Sequence, residues 1–111
     1  MLRPLLVLAL GVIATLVSGI CVGTSGTDVF PPELVQQGQR TYQQFCLYCH
    51  GPNMVNTGEN SYDLRRFPHE QRERFYTAVT KGKGRMPAWG DVLTEAELQA
   101  LWAYVSTGGR P

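Results

Sequence analysis

Residues 46–50 read Cys46-Leu47-Tyr48-Cys49-His50, and the fold must be built around this pentapeptide. Two thiols three positions apart, followed at once by an imidazole, are spaced to form two thioether bonds with haem vinyl groups while the histidine binds the iron. A bare C-x-x-C pair also occurs as a disulfide redox centre or as half of a zinc site. A zinc site needs four ligands, and the domain adds only His69 to these three, so the motif predicts covalent haem attachment.

A haem bound by His50 needs a second axial ligand if it is to carry electrons without binding small molecules. Met86 is the candidate, because it precedes Pro87 in a loop flanked by Gly84 and Gly90, whose glycines and proline suit a thioether presented from non-helical backbone. Met54 lies four residues from His50, which is too close for it to reach the opposite face easily, and the competing His69 is interpreted as a solvated surface residue. The alternative for Met86 is a methionine that fills a gap in the core. The predicted cofactor is one haem c, attached through Cys46 and Cys49, with its iron bound by His50 and Met86.

The first 26 residues are interpreted as a leader. Arg3 supplies a positive charge, and residues 5–22 contain no charged side chain, a pattern typical of a signal peptide that also reaches the lower length limit for a membrane span. Both interpretations place the rest of the chain outside the cytoplasm, so we expect a periplasmic protein, with a membrane-anchored form as the alternative. Cys21 lies in this apolar stretch and is interpreted as an ordinary leader residue.

The chain after the leader predicts a linker over residues 27–32 and one domain over residues 33–111. Helical spacing is found over 33–45, over a second segment with Pro68 in its first turn that ends at Lys81-Gly82, and over 94–106, where Thr94 and Glu97 form a capping-box pattern. No segment alternates as a strand does, which predicts an all-α domain of three or more helices. So short a domain usually needs a cofactor or another cross-link to be stable.

The charge balance argues against nucleic acid as a partner. The chain has ten Lys and Arg against nine Asp and Glu, so the domain without Arg3 is neutral.

From residue 33 onward the sequence resembles class I c-type cytochromes. Three blocks carry the resemblance: Gly38 and Tyr42 leading into residues 46–51, then residues 82–90, and then residues 98–105. The resemblance implies a fold wrapped around one haem, electron transfer rather than catalysis, and a contact of Tyr104 in the last helix with Gly38 in the first.

One segment departs from the family pattern. The family usually has Gly-Pro-x-Leu about a dozen residues after the ligand histidine, and a carbonyl there accepts the imidazole N–H. Residues 60–64 here read Asn60-Ser61-Tyr62-Asp63-Leu64. We therefore expect a backbone carbonyl near Tyr62 to orient His50.

Residues 53–55, 61–65 and 86–90 also resemble cytochromes associated with pyrroloquinoline quinone alcohol dehydrogenases. That likeness implies an enzyme such as a methanol dehydrogenase as electron donor, and a downstream cytochrome or oxidase as acceptor. A fixed haem subunit of a membrane complex is the alternative, and a thiol-disulfide oxidoreductase using the two cysteines is a further one.

Several polar residues are candidates for contacts around the haem. Arg65 and Arg66 suit the haem propionates, to which Trp89 or Tyr62 would add a hydrogen bond, and the alternative is an arginine pair on a solvated face. A positive cluster lies beside Met86 and consists of Lys81, Lys83 and Arg85. It predicts a rim that steers an acidic partner; the alternative is that these are ordinary solvated loop residues.

Overall fold

The computed structural model describes Gly19 and residues 28–56 and 61–110. These residues form four α-helices: α1 (Pro32–Phe45), α2 (Leu47–His50), α3 (Arg72–Lys81) and α4 (Glu95–Ser106). Two short 3₁₀ turns, Pro52–Met54 and Leu64–Arg66, lie in the segment between α2 and α3. The described residues contain no strand, and their one β-type feature is an isolated bridge between Lys83 and Met86. The predicted all-α class is confirmed.

Helix α1 begins at Pro32, one residue before the predicted start. A proline suits the first helical position, because its missing N–H would have no partner there. The helix buries one face, made of Val35, Gly38, Thr41 and Tyr42. This face packs against α4.

The crossing of α1 and α4 depends on Gly38. A Cβ atom added at Gly38 would lie 2.7 Å from the Cβ of Tyr104 and would overlap the backbone of Ala100. Only a residue without a side chain therefore allows the two helices to approach this closely. The predicted contact between Gly38 and Tyr104 is confirmed.

Helix α4 is the central element of the core. The Thr94 hydroxyl accepts a hydrogen bond from the Glu97 amide at 3.2 Å, and the Glu97 carboxylate accepts one from the Thr94 amide at 2.8 Å. These bonds form the predicted capping box and satisfy amides that a helix start leaves unpaired. From Ala100 to Ser106 every residue is buried, because α4 is covered on several sides.

Helix α3 begins later than the sequence indicates. Pro68 lies outside the helix, and its carbonyl accepts a bond from the Gln71 amide at 3.1 Å, which closes a separate turn before Arg72. Phe75 of α3 packs on Trp102 of α4 with ring centres 5.2 Å apart. This tilted aromatic contact anchors α3 to the core.

The predicted leader, with Cys21, lies outside the described residues except for Gly19. No helix in the described part of the chain combines the length and the apolar character that a membrane crossing requires. The boundaries of leader and linker stay predictions.

Candidate functional site

A cavity of about 630 Å³ lies between the helices, and all four predicted ligand residues line it: Cys46, Cys49, His50 and Met86. Its volume is within the range of cofactor pockets, about 300 to 1,000 Å³. Much of the remaining wall is apolar or aromatic, and it includes Phe45, Leu64, Phe67, Phe75, Val79, Pro87, Trp89, Leu101 and Val105. Residues 40 positions apart in the sequence therefore face the same apolar space.

The two cysteines lie where α1 passes into α2. The Cys46 amide donates to the Tyr42 carbonyl at 2.8 Å, so the motif continues directly from α1. Both thiols are free; Cys46 is buried and Cys49 is exposed. Burial, with a smaller contribution from nearby Cys49, raises the pKa of Cys46 to about 12. A thiol-disulfide enzyme instead needs a thiolate with a lowered pKa, which this environment opposes.

His50 is oriented by the backbone. Its Nδ1 atom lies 3.1 Å from the carbonyl oxygen of Tyr62. A carbonyl can only accept, so Nδ1 carries the proton, and Nε2 is left with the lone pair that a metal needs. The expected acceptor near Tyr62 is confirmed. Asn56 supports this segment, since its side-chain amide donates to the carbonyls of Ser61 at 2.9 Å and Tyr62 at 3.3 Å.

Tyr42 connects the motif to the core. Its hydroxyl donates to the Gly51 carbonyl at 2.6 Å, one residue after His50. Its ring packs on that of Tyr104, with centres 5.2 Å apart. Burial raises the pKa of Tyr42 above its ordinary value. The hydroxyl is therefore a neutral donor that ties the end of α2 to the contact of α1 with α4.

Met86 is presented by a tight turn after α3. Lys83 and Met86 exchange two backbone hydrogen bonds, at 3.1 and 3.0 Å. Gly82 begins the turn with φ +76°, and a Cβ there would lie 2.7 Å from the Met86 carbonyl oxygen. The Trp89 amide donates to the Val79 carbonyl at 2.8 Å, which fastens the far side of the loop to α3. Met86 is half-buried on the cavity wall.

Met54 occupies a different environment. It is 1% exposed, belongs to the core, and is absent from the described lining of the cavity. This agrees with its exclusion as a ligand. His69 is exposed.

The structure favours the solvated alternative for Arg65 and Arg66, since both side chains are exposed. Two nitrogens of Arg65 each lie 2.9 Å from a carboxylate oxygen of Asp63, and this bond lowers the pKa of Asp63. The described cavity lining includes neither Arg65 nor Arg66. Asp63, which directly precedes the 3₁₀ turn, binds the Arg65 guanidinium, so the propionate contact of these arginines stays a prediction that the described cavity wall does not support.

Other charged residues lie at the cavity instead. Lys83 and Arg85 of the predicted rim line it, whereas Lys81 is missing from the described lining. Glu73 and Arg74 of α3 line it too, and sequence reasoning missed both. Nothing in the local pattern separates Arg74 from its neighbour Arg72; only the direction in which α3 presents each side chain does so.

The donor set suits a covalently bound haem. Two thiols, one imidazole with a free Nε2 and one thioether face a single apolar cavity, whereas the described residues contain no cluster of three or more His, Cys, Asp or Glu able to hold a metal ion. The residues present fit a haem better than a bare metal ion.

Comparison with known proteins adds an independent line of support. Residues 33–105 match the family described as cytochrome c oxidase, cbb3-type, subunit III. The chain is 36% identical over 77 residues to the quinohemoprotein alcohol dehydrogenase ADH IIB of Pseudomonas putida, a match that covers 67% of this chain and 11% of that protein. No solved structure gave a significant match.

Small cytochromes are also similar to this chain. It is 36% identical over 72 residues to cytochrome c6 of Gloeothece citriformis, covering 61% of this chain and 66% of the relative. It is 35% identical over 72 residues to cytochrome c6 of Microcystis aeruginosa, covering 61% of this chain and 89% of that one. The chain thus spans about a tenth of the dehydrogenase and just under two thirds of the first cytochrome c6.

Proposed function

The chain belongs to the cytochrome c family, and on this premise we propose that it carries single electrons on one haem held by Cys46, Cys49, His50 and Met86. Membership of the family implies a covalently bound haem c with its iron. When bound, that group supplies one-electron redox chemistry. One observation carries the assignment of residues: the four side chains line the same cavity.

Each of the four side chains has a distinct task. The sulfur atoms of Cys46 and Cys49 each provide one thioether link. The Tyr62 carbonyl accepts a hydrogen bond from the Nδ1 proton of His50, so Nε2 keeps a lone pair for the iron. Met86 offers a soft thioether, which favours reduced iron and raises the potential. A haem held by both His50 and Met86 would have no iron position open to a substrate, as expected of an electron carrier rather than an enzyme.

The cavity wall supports the same role. Phe45 and Trp89 stack with ring centres 5.3 Å apart, and both line the cavity beside Leu101. Such a wall keeps water away from the redox centre. A low-dielectric surrounding disfavours the more highly charged oxidised state, so it raises the potential as well.

We assign the electron donor to the class of quinoprotein alcohol dehydrogenases. The similarity to the quinohemoprotein from Pseudomonas putida supports this assignment. The exposed cations Lys83 and Arg85 at the cavity wall suit an acidic partner surface. A downstream cytochrome or oxidase would accept the electron in the periplasm.

A second candidate is a haem subunit fixed in a membrane complex. The match to a family named for subunit III of an oxidase favours it. Fractionation of cells that express the full chain distinguishes the two: the carrier is released with the periplasmic contents and its N-terminus is shortened, whereas the fixed subunit stays with the membranes and keeps residues 5–22.

The proposed function is tested by purification from a host able to attach haem. We expect one haem per chain that acid and organic solvent do not extract, and reduction of the protein by a quinoprotein alcohol dehydrogenase given its alcohol. Lys83→Gln and Arg85→Gln should slow this reduction, most clearly at low salt, whereas Arg40→Gln on α1 should not.

The outcomes separate the parts of the proposal. A colourless or extractable product would refute the haem assignment. A haem protein that ascorbate reduces but the dehydrogenase does not would refute the donor.

A further inference from the structure

Arg74 is held against the cavity by contacts with its neighbours. Its guanidinium carbon lies 5.3 Å from the ring centre of Phe67 and 5.9 Å from that of Tyr62, and both rings line the cavity. One guanidinium nitrogen donates to the Gln71 side chain at 2.8 Å. Cation–π contacts and one hydrogen bond therefore favour a single position for this long side chain.

No carboxylate in the described part of the chain pairs with the charge of Arg74. Ion pairs among the described residues join Arg65 to Asp63 and Arg72 to Glu73, and none of them involves Arg74. A guanidinium has five N–H donors, and the bond to Gln71 uses one. The remaining donors are available to an anion at the cavity wall.

Arg74 is also separate from the other cavity cations. Lys83 and Arg85 belong to the turn that presents Met86. Arg74 precedes Gly82, the start of that turn, by eight residues, or about 12 Å along a helix axis. The lining also contains the carboxylate of Glu73 and the titratable groups of Tyr42, Cys46, Cys49, His50 and Tyr62. A further anion near Glu73 would be repelled unless a cation such as Arg74 compensates for it.

A haem carries two propionate groups, and an arginine fork matches a carboxylate in shape and charge. We propose that Arg74, rather than Arg65 or Arg66, binds a haem propionate in this protein. The inference rests on the proposed function, since it requires the haem in the cavity. A positive charge held beside the propionate keeps that carboxylate ionised and favours the reduced state of the haem.

The test compares the reduction potential of the purified haem protein with those of Arg74→Gln, Arg74→Lys and the matched control Arg72→Gln. Arg72 also lies on α3 and stacks on an aromatic ring, with its guanidinium carbon 5.5 Å from the ring centre of Tyr76, but it is absent from the described cavity lining. Potentials are measured from pH 5 to pH 9, and each spectrum is recorded to show that the haem and its axial ligands are intact.

We expect Arg74→Gln to shift the one-electron equilibrium toward the oxidised form by about two- to fivefold at neutral pH. Its potential should also depend more strongly on pH, because an unpaired propionate takes up a proton more readily. Arg74→Lys should restore most of the potential, and Arg72→Gln should match the parent protein at every pH.

Two results would overturn the inference. One is a potential and pH profile of Arg74→Gln equal to those of the parent. The other is a Lys variant that behaves like the Gln variant, since the ring contacts alone would then explain the change. Failure of the proposed function looks different, because no variant would then contain covalent haem.

Discussion

The Nδ1 atom of His50 lies 3.1 Å from the carbonyl oxygen of Tyr62, and the Asn56 side chain donates a hydrogen bond to the same carbonyl. Because the acceptor is a backbone oxygen, replacing the side chain of Tyr62 would not remove this hydrogen bond. The support from Asn56 can be removed instead.

Asn56→Ala is expected to loosen the Tyr62 carbonyl and so to expose the His50 Nδ1 proton to water. That proton should exchange faster with solvent in the NMR spectrum of the reduced protein, and the free energy of unfolding should fall by about 1 kcal/mol. Asn53→Ala, in the neighbouring 3₁₀ turn, is the control: it perturbs the same region but leaves the hydrogen bond from Asn56 to the Tyr62 carbonyl in place. Equal Nδ1 exchange in parent and Asn56→Ala would show that Asn56 does not support the carbonyl.

Met86→Ala is expected to remove the weak far-red absorption band of ferric iron bound by sulfur and to lower the reduction potential, because the soft ligand favours reduced iron. Met54→Leu should keep the band and cost less than about 1.5 kcal/mol of stability, as a volume-conserving change in the core does. A Met86→Ala protein with an unchanged spectrum would remove Met86 from the site.

Gly38→Ala is expected to lower the free energy of unfolding by about 1 to 3 kcal/mol or more, because the new methyl group would overlap the backbone of Ala100. Denaturant unfolding measures the loss. Gln36→Ala, exposed on the same helix, should change the free energy of unfolding by no more than about 0.5 kcal/mol. Similar stabilities of the two variants would contradict the close approach of α1 and α4.

Tyr42→Phe is expected to cost about 1 kcal/mol at neutral pH through loss of the bond to Gly51. Burial raises the folded-state pKa of Tyr42 above the ordinary value of 10.0. The neutral phenol therefore stabilises the fold fully below pH 10, and this contribution is lost as the pH rises toward the folded-state pKa.

Guanidinium unfolding at several pH values checks this prediction. The stability difference between parent and Tyr42→Phe should shrink above pH 10. Tyr48→Phe is the matched control, since Tyr48 is 98% exposed and should behave as the parent does at every pH. A difference that stays constant into the alkaline range would mean that Tyr42 ionises as freely as an exposed tyrosine.

Local patterns in the sequence were sufficient to predict α1, α4 and the haem cofactor. The Cys46-to-His50 spacing predicts the haem, and the Thr94 and Glu97 pair predicts the start of α4, because each signal depends on residues within one turn of each other. The start of α3 was misjudged at Pro68, where a turn and a first helical position favour the same residue. Whether Pro68 begins the helix or belongs to a separate turn depends on how this segment packs in the fold.

The sequence by itself was enough to predict which groups would attach and bind a haem, since those predictions rest on residue types and their spacing. Tertiary structure decided which arginine lies at the cavity, because Phe67 and Tyr62, seven and twelve residues before Arg74, contact its guanidinium there. Arginine side chains are long and alike, so their roles depend on the partners that the fold brings within reach.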